Sequence, residues 1–272
     1  MLRGTMPKGT RFFGTVSVWT LISVAFAQFN YPDFAGASLQ LNGDAAIVGN
    51  RLRLTPAQGD RLGSAYHPLK QVLSNGFATT FQFQITNSGG WTDSAGNTGA
   101  DGFTFIIQDS SLTAIGVLGF GIGYEGIPRS LVVEFDTWWN TQHDPNGNHV
   151  AVHTNWTEAN STSTGARLGY ATPAFSLEDG QVHTATIVYN GAGALSVSLD
   201  GSPLFTVNFS HSNFLSILDN DGKAWVGFTS ATGGAYANHD ILNWEFNPIP
   251  EPGSLLALGA GLAGLLGVRR RR

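Results

Sequence analysis

The sequence predicts an all-β chain folded as an antiparallel two-sheet β-sandwich. Apolar and polar residues alternate with a period of two, Asn-Gly, Asp-Gly and Gly-Gly steps punctuate the alternating runs, and no long amphipathic helical period occurs. Many short strands joined by tight turns bury a core best by stacking one sheet on another. The 272 residues, 42% hydrophobic and only 12% charged, suffice for one substantial core.

The strand-like pattern runs from residue 29 to 246. "ATTFQFQIT" alternates as a half-buried strand does. "DGFTFIIQD", "SLVVEFDTW", "HVAVHTN", "HTATIVYNG", "ALSVSLDG", "AWVGFTSATG" and "DILNWEF" follow, most bounded by turn residues. Phe103, Phe105, Trp225 and Phe228 sit in these patterns and are expected in the core, while His239 and Asp240, before the last strand, are expected to be structural. Tyr236 fits either a site wall or a cap on the sandwich. The chain has no cysteine, which excludes disulfides, thiolate metal sites and cysteine nucleophiles.

Both ends read as processing signals. Arg3, Lys8 and Arg11 precede the apolar run "FFGTVSVWTLISVAFA", which closes on the small-x-small pattern Ala25–Ala27. Residues 1–27 are expected to form a secretory signal peptide with a helical apolar stretch, cut before Gln28. The alternative is a transmembrane anchor, for which the run is short. At the other end "NPIPEPG" is a linker, followed by an apolar run and four arginines. Residues 249–272 thus combine Pro-Glu-Pro, an apolar helix and a basic cluster. The pattern resembles the PEP-CTERM sorting tail of Gram-negative bacteria, which implies recognition by an exosortase; a plain C-terminal membrane anchor is the alternative. Either reading exports the domain at residues 28–248, to the cell surface or beyond, with transient anchoring in the inner membrane.

Removal of both ends changes the charge. Of 14 Lys and Arg, three precede residue 28 and four close the chain, leaving seven; 18 of the 19 acids lie between residues 28 and 248. The domain therefore carries about −11, which argues against nucleic-acid binding and suits oxygen-ligand metals.

One stretch packs two acids two residues apart, then Asn140, Asp144 and His149, into sixteen residues: "EFDTWWNTQHDPNGNH", residues 134–149. On a strand, Glu134 and Asp136 project from one face and Phe135 from the other. Two carboxylates about 7 Å apart on one face repel unless something neutralises them. A loop follows with Asn140 and Asp144, and His149 opens the next strand, so a hairpin returns His149 beside Glu134. Carboxylates, an amide oxygen and backbone carbonyls suit calcium; imidazole adds a transition ion such as manganese or zinc. An exposed polar hairpin is the plain alternative. A glycosidase would need a second acid close by, where Trp138 and Trp139 stand instead.

This stretch resembles the metal loop of legume-type (L-type) lectins: Glu-x-Asp-Thr-aromatic-x-Asn, then Asp, then His five residues later. The resemblance implies a concanavalin-like jelly-roll. It implies that Glu134, Asp136, Asp144 and His149 bind a manganese-type ion, and that Asp136, the Trp138 carbonyl, Asn140 and Asp144 bind calcium. Three more segments match in the family's order, covering about four-fifths of the chain. "GADGFTFII" implies a cis Ala100–Asp101 peptide and a sugar-accepting Asp101. "IGVLGF" implies that the N–H of Gly116 meets the sugar, although Ile115 stands where the family has glycine. "VGFTSATGGAYANHDILNWEF" places Gly234 and Ala235 at the variable sugar-contacting loop. Trp138 would offer a stacking face.

The function implied is a non-enzymatic, secreted carbohydrate-binding lectin, its sugar site preorganised by calcium and a transition metal. A matrix protein that keeps the sandwich without binding sugar and a β-sandwich glycosidase are the alternatives. Expected partners are a glycan or exopolysaccharide, an exosortase and, through sheet pairing, a second copy. His143 and His153 flank the metal loop and are not assigned as ligands.

Overall fold

The computed structural model describes residues 28–250. The expected signal helix and sorting helix lie outside the described residues. Among those described, sixteen strands follow in order: β1 Phe29–Tyr31, β2 Gln40–Gly43, β3 Ala46–Val48, β4 Arg51–Thr55, β5 Leu62–Tyr66, β6 Gln71–Val72, β7 Phe77–Gly90 and β8 Gly102–Gln108. β9 Ser130–Asp136, β10 His149–Thr154, β11 Arg167–Ala171, β12 His183–Tyr189, β13 Ala194–Leu199, β14 Ser202–Asn208, β15 Lys223–Ala231 and β16 Ala235–Pro248 complete them. One six-residue helix, His211–Ser216, interrupts the pattern.

The strands form two antiparallel eight-stranded sheets. One runs β14-β13-β12-β7-β16-β4-β3, with β1 also pairing β16; the other runs β11-β10-β9-β8-β15-β5-β2, with β6 also pairing β15. Strands distant in sequence become neighbours, as when β16 pairs β7 along its whole length.

The alternation explains the core. Every second residue of β7 is buried from Phe77 to Ile85. Phe81 and Phe83 meet Phe103, Phe105, Phe135 and Phe228 from the facing sheet. Phe103 and Phe135 stack with ring centroids 4.7 Å apart and planes 1° from parallel, and Trp244 packs edge-on against Phe228. Trp225, expected in the core, is only half-buried: its ring turns outward and carries the Lys70 ammonium 4.6 Å from its centroid. A polar cap holds the end of the other sheet, where buried Asp240 pairs with Arg51 and Arg53 at 3.1 and 2.8 Å.

β9 is buried on both faces. Leu131, Val133 and Phe135 enter the core. On the other face Val132 joins Tyr66, Ile106, Ile122, Tyr124 and Ile127 in a second apolar cluster. Loops over that outer face remove Glu134 and Asp136 from water, leaving them 1% exposed.

Candidate metal and saccharide site

Register brings the expected ligands together. In the β9–β10 ladder Asp136 pairs with His149 and Glu134 with Ala151, so His149 and Glu134 are diagonal neighbours on the outer face. One ligand atom each from Glu134, Asp136 and His149 lies within 4.8 Å of the others. His149 Nε2 is 3.7 Å from Glu134 Oε2. The histidine is oriented from behind, its Nδ1 lying 2.9 Å from the Asn146 carbonyl. That contact makes Nδ1 the donor to the carbonyl and turns Nε2 toward the acids. Nε2 is buried and has no hydrogen-bond partner.

The loop after β9 folds on its own acids. The Trp138 N–H donates to Asp136 Oδ1 at 2.8 Å, and the Asn140 N–H donates to Asp144 Oδ2 at 2.7 Å.

Asp101 precedes β8, and the Ala100–Asp101 peptide is cis. Its N–H donates to the Ala231 carbonyl, and its own carbonyl accepts the Thr137 N–H, so β15 and β9 both fix it. Gly102, next in line, has a φ of +128°, and a Cβ there would lie 2.1 Å from the Phe135 carbonyl oxygen. Only glycine lets β8 approach β9 so closely at this point. Asp101 is 5% exposed, and its Oδ2 has no hydrogen-bond partner.

Four acids share this region. Burial and then the charge of Asp144 push the Asp101 carboxyl up to about 7. Burial and Glu134 push Asp144 up to about 7. Asp136 is raised well above the ordinary range by burial, then by Asp144 and Glu134. Burial also raises Glu134, but His153 and His149 outweigh it and hold that carboxyl below the usual range. Among the described residues, no lysine or arginine pairs with Asp101, Asp136 or Asp144. Acids confined so closely suit a multivalent cation, and the orphaned imidazole nitrogen suits a borderline metal. The residues present therefore fit the expected ion pair.

Two placements differ from expectation. The Gly116 N–H is spent on the Gly123 carbonyl at 2.7 Å, because the loop after Ile115 curls on itself instead of facing the pocket. Gly119 lies nearer: a Cβ there would sit 4.0 Å from Asp101 Oδ2. In the variable loop, Ala235 is 3% exposed and already within β16, paired with Gly90. Gly233 faces the pocket instead, its Cβ position 3.7 Å from Asp101 Oδ2. Gly234 is exposed, and the Trp91 indole lies against its Cβ position. Asn140 lines a shallow depression with Phe120, Thr141, Gln142 and His143, and Phe120 stacks on His143 with centroids 5.3 Å apart.

Several neighbours were missed in the sequence. His153 Nε2 lies 3.2 Å from Glu134 Oε2; the alternation of "HVAVH" puts it on the face of His149, which was the available signal. The Tyr124 hydroxyl donates to Glu134 Oε1 at 3.1 Å. Asp93 accepts the Trp139 N–H at 3.0 Å, tying a second loop to the metal hairpin. Tyr236 is half-buried with its ring against Gly89.

The fold and site together define a two-sheet β-sandwich with a buried carboxylate–histidine cluster on one hairpin. The chain belongs to the legume lectin family: residues 31–244 match the legume lectin beta-barrel domain. Residues 248–272 match the PEP-CTERM protein-sorting motif. Truncated lectin 2 of Medicago truncatula is 30% identical over 235 residues, covering 77% of each chain. Agglutinin-2 of Cladrastis kentukea is 30% identical over 237 residues, covering 77% of this chain and 76% of that protein. The Bauhinia forficata lectin solved in complex with GalNAc shares the fold with a TM-score of 0.65 at 24% identity, over 82% of this chain and 98% of that one.

Proposed function

We propose that the protein is an exported lectin that binds carbohydrate in the pocket beside Asp101, with calcium and a manganese-type ion ordering that pocket from beneath. The observation that carries this reading is the pairing of two buried, unpartnered atoms: Asp101 Oδ2 on the pocket side and His149 Nε2 on the metal side. Glu134, Asp136, Asp144 and His149 would hold the transition ion. Asp136, the Trp138 carbonyl, Asn140 and Asp144 would hold calcium. The ions supply positive charge that neutralises the acid cluster and ties the hairpin down.

The chain's own groups do the recognition. Asp101 Oδ2 accepts hydroxyl protons, and bonds to a carboxylate are the stronger kind. Asn140 supplies an amide donor, and Gly119 and Gly233 let a ring approach the backbone closely beside Asp101. Trp138 offers an aromatic face. Loops ordered in advance spare the ligand that entropic cost. Each site is expected to be weak and to gain from clustering.

Related proteins support the saccharide class. The Bauhinia lectin was solved with GalNAc, and the VIP36 lumenal domain, 17% identical with a TM-score of 0.61, in a Ca2+ and Man-bound form. The sorting motif supports export to the cell surface through signal peptide 1–27, lectin domain 28–248 and exosortase tail 249–272. A non-enzymatic role fits Trp138 and Trp139 standing where a second acid would be needed. The test is a glycan array probed with and without EDTA. Hits that vanish on chelation and return with calcium are expected; an array without any calcium-dependent hit overturns the reading in favour of a matrix protein that does not bind sugar.

A further inference from the structure

We propose that Trp91 forms a second saccharide subsite next to the Asp101 pocket, stacking the following pyranose of an oligosaccharide. The inference rests on the lectin reading above and extends it from a single sugar to a chain.

Trp91 is 73% exposed, the most exposed of the large apolar side chains in the described residues. Its indole lies on Gly234: a Cβ at Gly234 would meet ring atoms Cδ2, Cε3 and Cε2 at 2.6, 2.8 and 2.9 Å. One face of the ring therefore rests on glycine backbone, and the other faces out. The backbone fixes it there, since the Trp91 N–H donates to the Gly234 carbonyl at 3.2 Å.

The neighbouring residue ties this platform to the pocket. A Cβ at Gly233 would lie 3.7 Å from Asp101 Oδ2 and 3.9 Å from Gly119 Cα. Asp101 and Trp91 thus flank two successive glycines, whose Cα atoms are about 3.8 Å apart. A pyranose bonded to Asp101 leaves its glycosidic neighbour over the indole.

The segment carrying Trp91 is also braced. Asp93 Oδ1 accepts the Ala95 and Asn97 N–H groups, both at 2.8 Å. Asp93 Oδ2 accepts the Asn97 side-chain amide at 2.7 Å and the Trp139 N–H at 3.0 Å. A flat, rigid, half-apolar ring matches the C–H face of a pyranose and loses little entropy on binding.

The test is calorimetry on the full chain with Ca2+ and Mn2+ present, comparing parent, Trp91→Ala and Trp91→Phe. The probes are methyl mannoside, methyl galactoside and N-acetylgalactosamine, each beside a trisaccharide ending in the same sugar. The parent is expected to bind the trisaccharide of its preferred sugar roughly five- to tenfold more tightly than the monosaccharide. Trp91→Ala should erase that advantage and Trp91→Phe retain most of it. An equal loss for both probes, or an advantage that survives Trp91→Ala, overturns the subsite. A metal-loaded parent that binds none of the probes overturns the lectin reading and the subsite with it, an outcome distinct from the other two.

Discussion

Loading the chelator-stripped protein with Ca2+ and Mn2+ is expected to expel about one proton or more per molecule at pH 7. Asp136 is raised well above the ordinary carboxylate range by burial and then by Asp144 and Glu134, so any proton it retains adds to the release. Asp101 and Asp144, both near 7, are each about half protonated. Asp136 and Asp144 must ionise to serve as ligands, and Asp101 ionises as positive charge arrives beside it. Glu134, held below the usual range by its histidines, contributes none. About half a proton from each of Asp101 and Asp144 makes one, and any proton held by Asp136 adds to it. Because binding expels protons, affinity should rise with pH, by about tenfold or more per unit around pH 7. The sign for folding is the reverse. Without ions, the folded state binds more protons at Asp101, Asp136 and Asp144 than the unfolded chain, whose carboxyls ionise near 4. Their contribution to ion-free stability therefore falls as pH rises from about 4 through 7. Calorimetric titration in buffers of different protonation enthalpy between pH 6 and 8 measures the release. Affinity independent of pH with no proton exchanged would refute the coupling of these acids to the ions.

Three further outcomes follow from single side chains. Asp101→Asn should keep metal affinity but weaken monosaccharide binding at least tenfold by calorimetry, since a hydrogen bond to a charged group is worth about 1.5–3 kcal/mol. Phe103→Ala removes a fully buried ring stacked on Phe135 and should cost about 3–5 kcal/mol in urea unfolding. His239 is buried, and burial pushes its pKa down to about 3. The unfolded chain then binds a proton that the fold refuses, so stability from this group is full above about 6.5 and is lost as pH falls towards 3, by roughly 3 kcal/mol at pH 4. His239→Leu should remove that part of the acid sensitivity in thermal unfolding from pH 7 to 4.

The sandwich and the carboxylate–histidine hairpin were legible because both rest on short-range periodicity. Alternation placed Phe135 inward and Glu134 and Asp136 outward, and the Asp144–His149 spacing returned the histidine to the right rung. Features that depend on contacts across the chain were not legible. The Gly116 N–H was diverted because the loop following Ile115 closes on Gly123. Trp225, by contrast, was legible: it lies three positions from Phe228, so period-two alternation puts the two on opposite faces, and Trp225 falls on the outer face with Lys70 over its ring. Trp91 sits in a polar, glycine-rich segment without periodicity, and the glycine that supports it lies 143 positions further on. His153 was in view as the fifth residue of "HVAVH", but its approach to Glu134 needed the strand register.

The most direct measurement is an anomalous-difference map from crystals of the protein loaded with Mn2+ and Ca2+. A manganese peak roughly 2.0–2.3 Å from Glu134, Asp136 and His149 Nε2 is the expected result. A map with no peak among these three side chains, from crystals that bind sugar, would contradict the claim that cations held by this hairpin order the saccharide pocket.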